Sequence, residues 1–176
     1  MNMQLAFTAI GDQSSVFMVE LTAACRDCHC NIMEARASAL GNQATMYMLV
    51  DGNWNHIARL ENVLDALAQK NGLMVHYKRA ESGSDKVGGL PYSVDLFAKD
   101  ELGAITEPVQ FFTERQIAIL DLACSTYPAT YANVTLLSAH LVVTIPTGQR
   151  VISLRDEFLE FCDQFNFDAI FEPIKR

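Results

Sequence analysis

Three thiols and an imidazole fall within Cys25-Arg26-Asp27-Cys28-His29-Cys30, the densest collection of soft ligands and nucleophiles in the chain. Such a set invites a tetrahedral zinc site or a redox pair. A zinc site, however, draws its ligands from two separated knuckles, and the remaining cysteines, Cys124 and Cys162, form no second Cys-x-x-Cys pair. Buried free cysteine behaves as a small hydrophobe, and these residues favour that structural role over metal binding or redox sensing. His56, His76 and His140 stand singly, with no Ser or Cys partner in a motif that makes a triad. Glu61, Asp65, Asp156, Glu157 and Glu160 fall on the outer faces of predicted helices and read as solvated surface. There is no Gly-x-Gly-x-x-Gly, P-loop or His-Glu-x-x-His motif, so no cofactor and no enzymatic activity are expected.

The bulk composition narrows the function further. Lys and Arg number 13 against 21 Asp and Glu, a net charge of −8 over 176 residues. An acidic surface repels a polyanion, which argues against direct nucleic-acid binding. Half of the residues are hydrophobic and 19% are charged, the composition of a packed globular protein. No apolar run reaches the roughly 18–20 residues that cross a bilayer, and residues 1–11 lack the basic start of a signal peptide. Five cysteines, an odd count without a signal for export, point to a reduced cytoplasmic compartment.

The elements that must position any site read as two copies of one unit. Residues 4–10 alternate polar with larger apolar residues, as a half-buried strand does. Ser14 or Ser15 then caps a helix with apolar positions Val16, Val19 and Ala23, ending near Asp27. Two strands follow over 31–40 and 43–50, hinged at Gly41-Asn42. A second helix carries Ile57, Leu60, Leu64 and Leu67 and stops at Asn71-Gly72, before a strand over 73–78. Residues 81–91, with three Gly and two Ser, read as a linker between a first domain over 1–80 and a second over 92–176.

After the linker the order resumes. A strand covers 92–98; Ile105, Val109 and Phe112 mark a helix; 116–124 and 139–145 form a hairpin; Leu154, Phe158, Phe161 and Phe165 mark a second helix, and 169–174 close as a strand. Asp12 and Asp100, 88 positions apart (100 − 12), stand just past the first strand of each half. Duplicated βαββαβ order gives an α+β fold of two ferredoxin-like units, each an antiparallel sheet with helices on one face. Open sheet edges favour packing between the halves and a possible homodimer.

Particular residues then carry a resemblance. Asn31-Ile32-Met33-Glu34-Ala35-Arg36, Ala39-Leu40-Gly41 and Met48-Leu49-Val50-Asp51-Gly52-Asn53-Trp54, preceded by Cys28-His29-Cys30, resemble the first half of tandem ACT-domain proteins of the glycine cleavage repressor type. The resemblance is sharpest over residues 3–79 and persists as architecture over 92–176. It implies a non-catalytic regulator whose ACT domains bind small ligands, usually amino acids. With an acidic chain and no basic recognition helix, transcriptional control implies a protein partner, itself a DNA-binding regulator.

The loop after the first strand is where the resemblance implies a ligand. Its usual form is Asp-Arg-Pro-Gly followed by Ile or Val. In the second half Asp100-Glu101-Leu102-Gly103-Ala104-Ile105 keeps the Asp, the Gly and an apolar residue two further on. A glycine there lets a carboxylate approach backbone N–H groups at a helix start. In the first half Asp12-Gln13-Ser14-Ser15-Val16 puts Ser15 at the glycine position, where a hydroxyl donor replaces close approach. Asn31 and Ile32, opening the second strand, form the other side of the implied site. Asn suits a zwitterion because it both donates and accepts, and Gln116-Ile117 is its expected counterpart in the second half. The competing reading makes the Asp and Ser residues helix caps and Asn31 a turn residue.

Overall fold

The computed structural model describes residues 3–12, 16–81, 88–130 and 132–174. The chain divides into two compact units, Met1–Ser84 and Asp85–Arg176.

In the first unit β1 (Met3–Asp12), α1 (Val16–Asp27), β2 (Asn31–Leu40), β3 (Gln43–Gly52), α2 (Trp54–Asn71) and β4 (Met74–Glu81) follow in order. The sheet is antiparallel, in the order β2-β3-β1-β4. Alternate residues of β1 and β3, among them Leu5, Phe7, Met46 and Val50, are buried with the helices in one core. Alternation is what a strand covered on one face requires. Gly41-Asn42 forms the two-residue hairpin turn between Leu40 and Gln43. The Asn53 side chain caps α2 by accepting the His56 N–H at 2.9 Å, and Gly72 ends the helix in the left-handed conformation.

Two expectations need correction. The buried face of α1 is Phe17, Leu21, Ala24 and Cys25, whereas Val16 and Val19 are 64% and 67% exposed. Both stripes satisfy the helical period, and the one with Phe17 and Leu21 removes more apolar surface from water. Asp65 is exposed as expected, but Glu61 is not plain solvated surface. Glu61, with its side chain 16% exposed, accepts Arg79 Nε at 2.7 Å, and Asp65 accepts the Tyr77 hydroxyl, tying α2 to β4. Trp54 is 58% exposed, with the Arg79 guanidinium 5.7 Å from its ring.

The second unit repeats the plan as β5 (Leu90–Lys99), α3 (Thr106–Glu114), β6 (Ala118–Pro128), β7 (Thr135–Ile145), α4 (Val151–Phe165) and β8 (Asp168–Pro173). Its sheet order is β6-β7-β5-β8. Here the core is aromatic: Phe112 and Phe158 are fully buried with ring centroids 4.9 Å apart, and Phe171 joins them from β8. Strands extend past the expected bounds, β7 beginning four residues earlier, at Thr135. Of the expected linker, residues 82–87 lie outside the described residues; Glu81 belongs to β4, and Leu90 and Pro91 to β5. Gly89 sits where an added Cβ would lie 2.4 Å from the Ile145 carbonyl oxygen, so close backbone approach, not linker flexibility, is what demands glycine there. Among the described residues no helix is long and apolar enough to cross a membrane.

Candidate functional site

The loop joining β5 to α3 is fixed from both ends. The Asp100 N–H donates to the Thr135 carbonyl at 2.9 Å, carrying the ladder with β7 one residue beyond Lys99. At the other end the Glu107 N–H donates to the Gly103 carbonyl at 3.0 Å and opens α3. Between them the Ala104 N–H closes a turn onto the Glu101 carbonyl at 3.1 Å, and Gly103 adopts φ +91°. A side chain at Gly103 would meet little: the nearest atom to an added Cβ is Glu107 Oε1 at 3.8 Å. Glycine is required by backbone conformation, not by space. Ile105 precedes the helix and no side chain caps it; with the Glu107 N–H spent on Gly103 and Pro108 carrying none, Thr106 holds the N–H of the first turn left for solvent or a ligand.

Facing this loop is the end of α4. Asn166 takes a left-handed conformation (φ 54°), the Asn166 N–H donates to Asp163 at 3.4 Å, and the Phe167 N–H returns to the Cys162 carbonyl at 2.9 Å, closing the helix in a Schellman-type turn. Because β8 pairs with β5 in a register that sets Asp168 opposite Phe97, the turn 165–167 arrives beside 98–104. The two segments enclose a crevice of about 280 Å³. Phe165, Asn166 and Phe167 form one side; Lys99, Glu101, Leu102, Gly103 and Glu107 form the other. Lys99 and Glu101 pair at 2.7 Å, and the Glu101 carboxylate raises the Lys99 pKa above its ordinary value. Both groups are exposed, so the pair adds little to stability.

The predicted site residues distribute unevenly around this geometry. Leu102, Gly103 and Ala104 line the crevice, and Asp100 anchors its loop. Gln116 and Ile117 do not line it: Gln116 holds the left-handed turn after α3 (φ 57°), and Ile117 is buried in the second core. Nor are they the counterparts of Asn31 and Ile32. Both edge strands carry a bulge, between Ile32 and Glu34 and between Ile119 and Asp121, which matches Asn31 with Ala118 and Ile32 with Ile119. The left-handed residues His29 and Gln116 then correspond, 87 positions apart (116 − 29). By the same register Asp12, the last residue of β1 opposite Gln43, matches Lys99, and Asp100 falls one position later. Asp12 accepts a hydrogen bond from Gln43 Nε2 at 3.2 Å. Asn31 and Ile32 lie exposed on β2, where Asn31 Nδ2 meets Met33 Sδ at 3.3 Å. Ser14 and Ser15 lie outside the described residues.

The cysteine cluster is core. Cys25, Cys28 and Cys30 are buried at the joint of α1 and β2, where the Cys30 N–H donates to the Cys25 carbonyl at 2.9 Å. Burial pushes the Cys25 thiol up to about 12 and Cys30 up to about 11, with neighbouring thiols adding to the shift. These groups stay protonated and unreactive near neutral pH. Elsewhere, His140 Nδ1 lies 2.6 Å from Asp95 Oδ1 on the second sheet, so this histidine is not isolated.

The ACT domain model matches residues 4–78. Residues 4–78 are an ACT domain. The second unit repeats its βαββαβ fold. Across 162 residues, covering 92% of this chain and 85% of the relative, the sequence is 24% identical to the glycine cleavage system transcriptional repressor of Escherichia coli (strain K12), and equally to that of Shigella flexneri. A crystal structure provisionally assigned as a glycine cleavage system transcriptional repressor superposes with a TM-score of 0.78 at 24% identity, covering 100% of this chain and 99% of the other. An unknown protein from Galdieria sulphuraria also gives 0.78, at 18% identity, with 99% and 100% coverage. The tandem βαββαβ fold is therefore shared over whole chains. Sequence reading anticipated the glycine side of the crevice but missed Phe165, Asn166 and Phe167; the available signal was Asn166, a common left-handed helix terminator.

Proposed function

We propose that this protein is a cytoplasmic, non-catalytic regulator of the glycine cleavage repressor type, which senses an amino acid at the β5–α3 crevice and acts through a protein partner. The observation that carries the reading is Gly103, held at φ +91° at the head of an uncapped helix and opening onto a crevice of about 280 Å³. The positive end of the α3 dipole and the Thr106 N–H favour a carboxylate, and the Glu107 carboxylate in the same crevice suits an ammonium group. Similarity to the Escherichia coli and Shigella flexneri repressors supports the regulatory role. The net charge of −8 favours control of transcription through a DNA-binding partner rather than by holding DNA directly.

The mechanism is linkage. A ligand that binds two arrangements of the protein with unequal affinity shifts their balance, and a partner that distinguishes them is gained or released. A tenfold shift needs a difference of only about 1.4 kcal/mol, within the reach of one or two charge-assisted hydrogen bonds. Calorimetric titration of the full chain with the common amino acids tests the reading. Saturable heat with at least one of them is expected; a flat response across the panel refutes it.

A further inference from the structure

The crevice carries more apolar surface than glycine can use. Its volume of about 280 Å³ admits glycine and leucine alike, so the chemistry of its walls, not its size, chooses between them. Phe165 is 43% exposed although it is a large aromatic residue. It is held in place by Phe161, whose ring centroid is 4.8 Å away, and by Phe167 at 5.9 Å, so it presents a supported apolar wall. Leu102 extends fully exposed from the opposite rim. The charges are asymmetric as well. Lys99 is satisfied by Glu101 at 2.7 Å, which leaves the Glu107 carboxylate, next to Gly103, to receive a cation.

We propose that this crevice selects an α-amino acid with an apolar side chain, such as leucine or methionine, over glycine, an inference that rests on the amino-acid-sensing reading of the same site. The ligand's ammonium group faces Glu107 and its side chain lies between Phe165, Phe167 and Leu102. Glycine in that position leaves the aromatic wall wet. Each methylene placed in an apolar pocket contributes about 10–200-fold to discrimination at most, so leucine is expected to bind at least tenfold more tightly than glycine.

Calorimetric titration of the full chain with glycine, alanine, serine, leucine and methionine decides the matter, repeated on Leu102→Ser and Phe165→Ser. Both side chains are exposed, and Leu102→Ser lies outside any core contact, so it keeps the test usable if Phe165→Ser unfolds. The expected result is leucine and methionine ahead of glycine, with the gap narrowing at least threefold in Leu102→Ser and closing in Phe165→Ser. Binding of glycine or serine as tight as leucine overturns the selectivity while leaving amino-acid sensing intact. A leucine preference that survives both substitutions overturns the assignment of the wall, and no binding by any amino acid defeats the underlying reading itself.

Discussion

Substituting Gly103 by alanine isolates backbone conformation from steric fit. An alanine Cβ would find Glu107 Oε1 at 3.8 Å as its nearest neighbour, an ordinary contact that costs nothing. The whole penalty therefore comes from holding an L-residue at φ +91°, about 1–2 kcal/mol. A glycine at an ordinary φ behaves oppositely, because alanine restricts the unfolded chain and stabilises by about 0.4–1 kcal/mol. The sign alone separates the two cases. Urea unfolding of Gly103→Ala should show a lower midpoint with an unchanged m-value, and thermal unfolding a fall of about 2–8 °C. Ligand affinity should fall too, since relaxing φ moves the carbonyl that receives the Glu107 N–H and the turn that Ala104 closes onto Glu101. Unchanged or increased stability would refute the left-handed geometry on which the site depends.

Two further outcomes follow from the first unit and the buried thiols. Asn53→Ala removes the side chain that accepts the His56 N–H at 2.9 Å and should cost about 1 kcal/mol in urea unfolding. Burial raises the folded-state values of Cys25 and Cys162 to about 12 and of Cys30 to about 11, from an ordinary 9.0. The neutral thiols are thus favoured in the fold, so their contribution is complete below pH 9 and is lost as pH rises from there toward 12. Stability measured from pH 8 to pH 11 should decline, and the decline should shrink in Cys25→Ala compared at matched starting stability; a flat profile over that range would contradict the burial. Native iodoacetamide labelling at pH 8 should modify Cys124, the exposed thiol, well before the other four.

Periodic segments declared themselves because their physics is local. The alternation in 4–10 and the stripe Ile57-Leu60-Leu64 follow from one covered face, and both appear in the fold. The face of α1 was ambiguous because Val16-Val19-Ala23 and Phe17-Leu21-Ala24 fit the same period, and only packing against the sheet chooses between them. Matching Asp12 to Asp100 failed for a related reason: a shared residue type is weaker than ladder register, which sets Asp12 against Lys99. Gly103 was legible, since a glycine before a helix is a local signal. Its opposing wall was not. Phe165 and Phe167 reach the loop only through the pairing of β8 with β5, a long-range contact that no local pattern encodes.

The central claim is that the β5–α3 loop of the second unit receives an amino acid. Amide chemical shifts of the isotope-labelled full chain, followed during titration with leucine, test it most directly. The account predicts saturable changes at Leu102, Gly103, Ala104 and Asn166, residues that line one crevice. Changes confined to other residues, with those four amides unmoved, would contradict it.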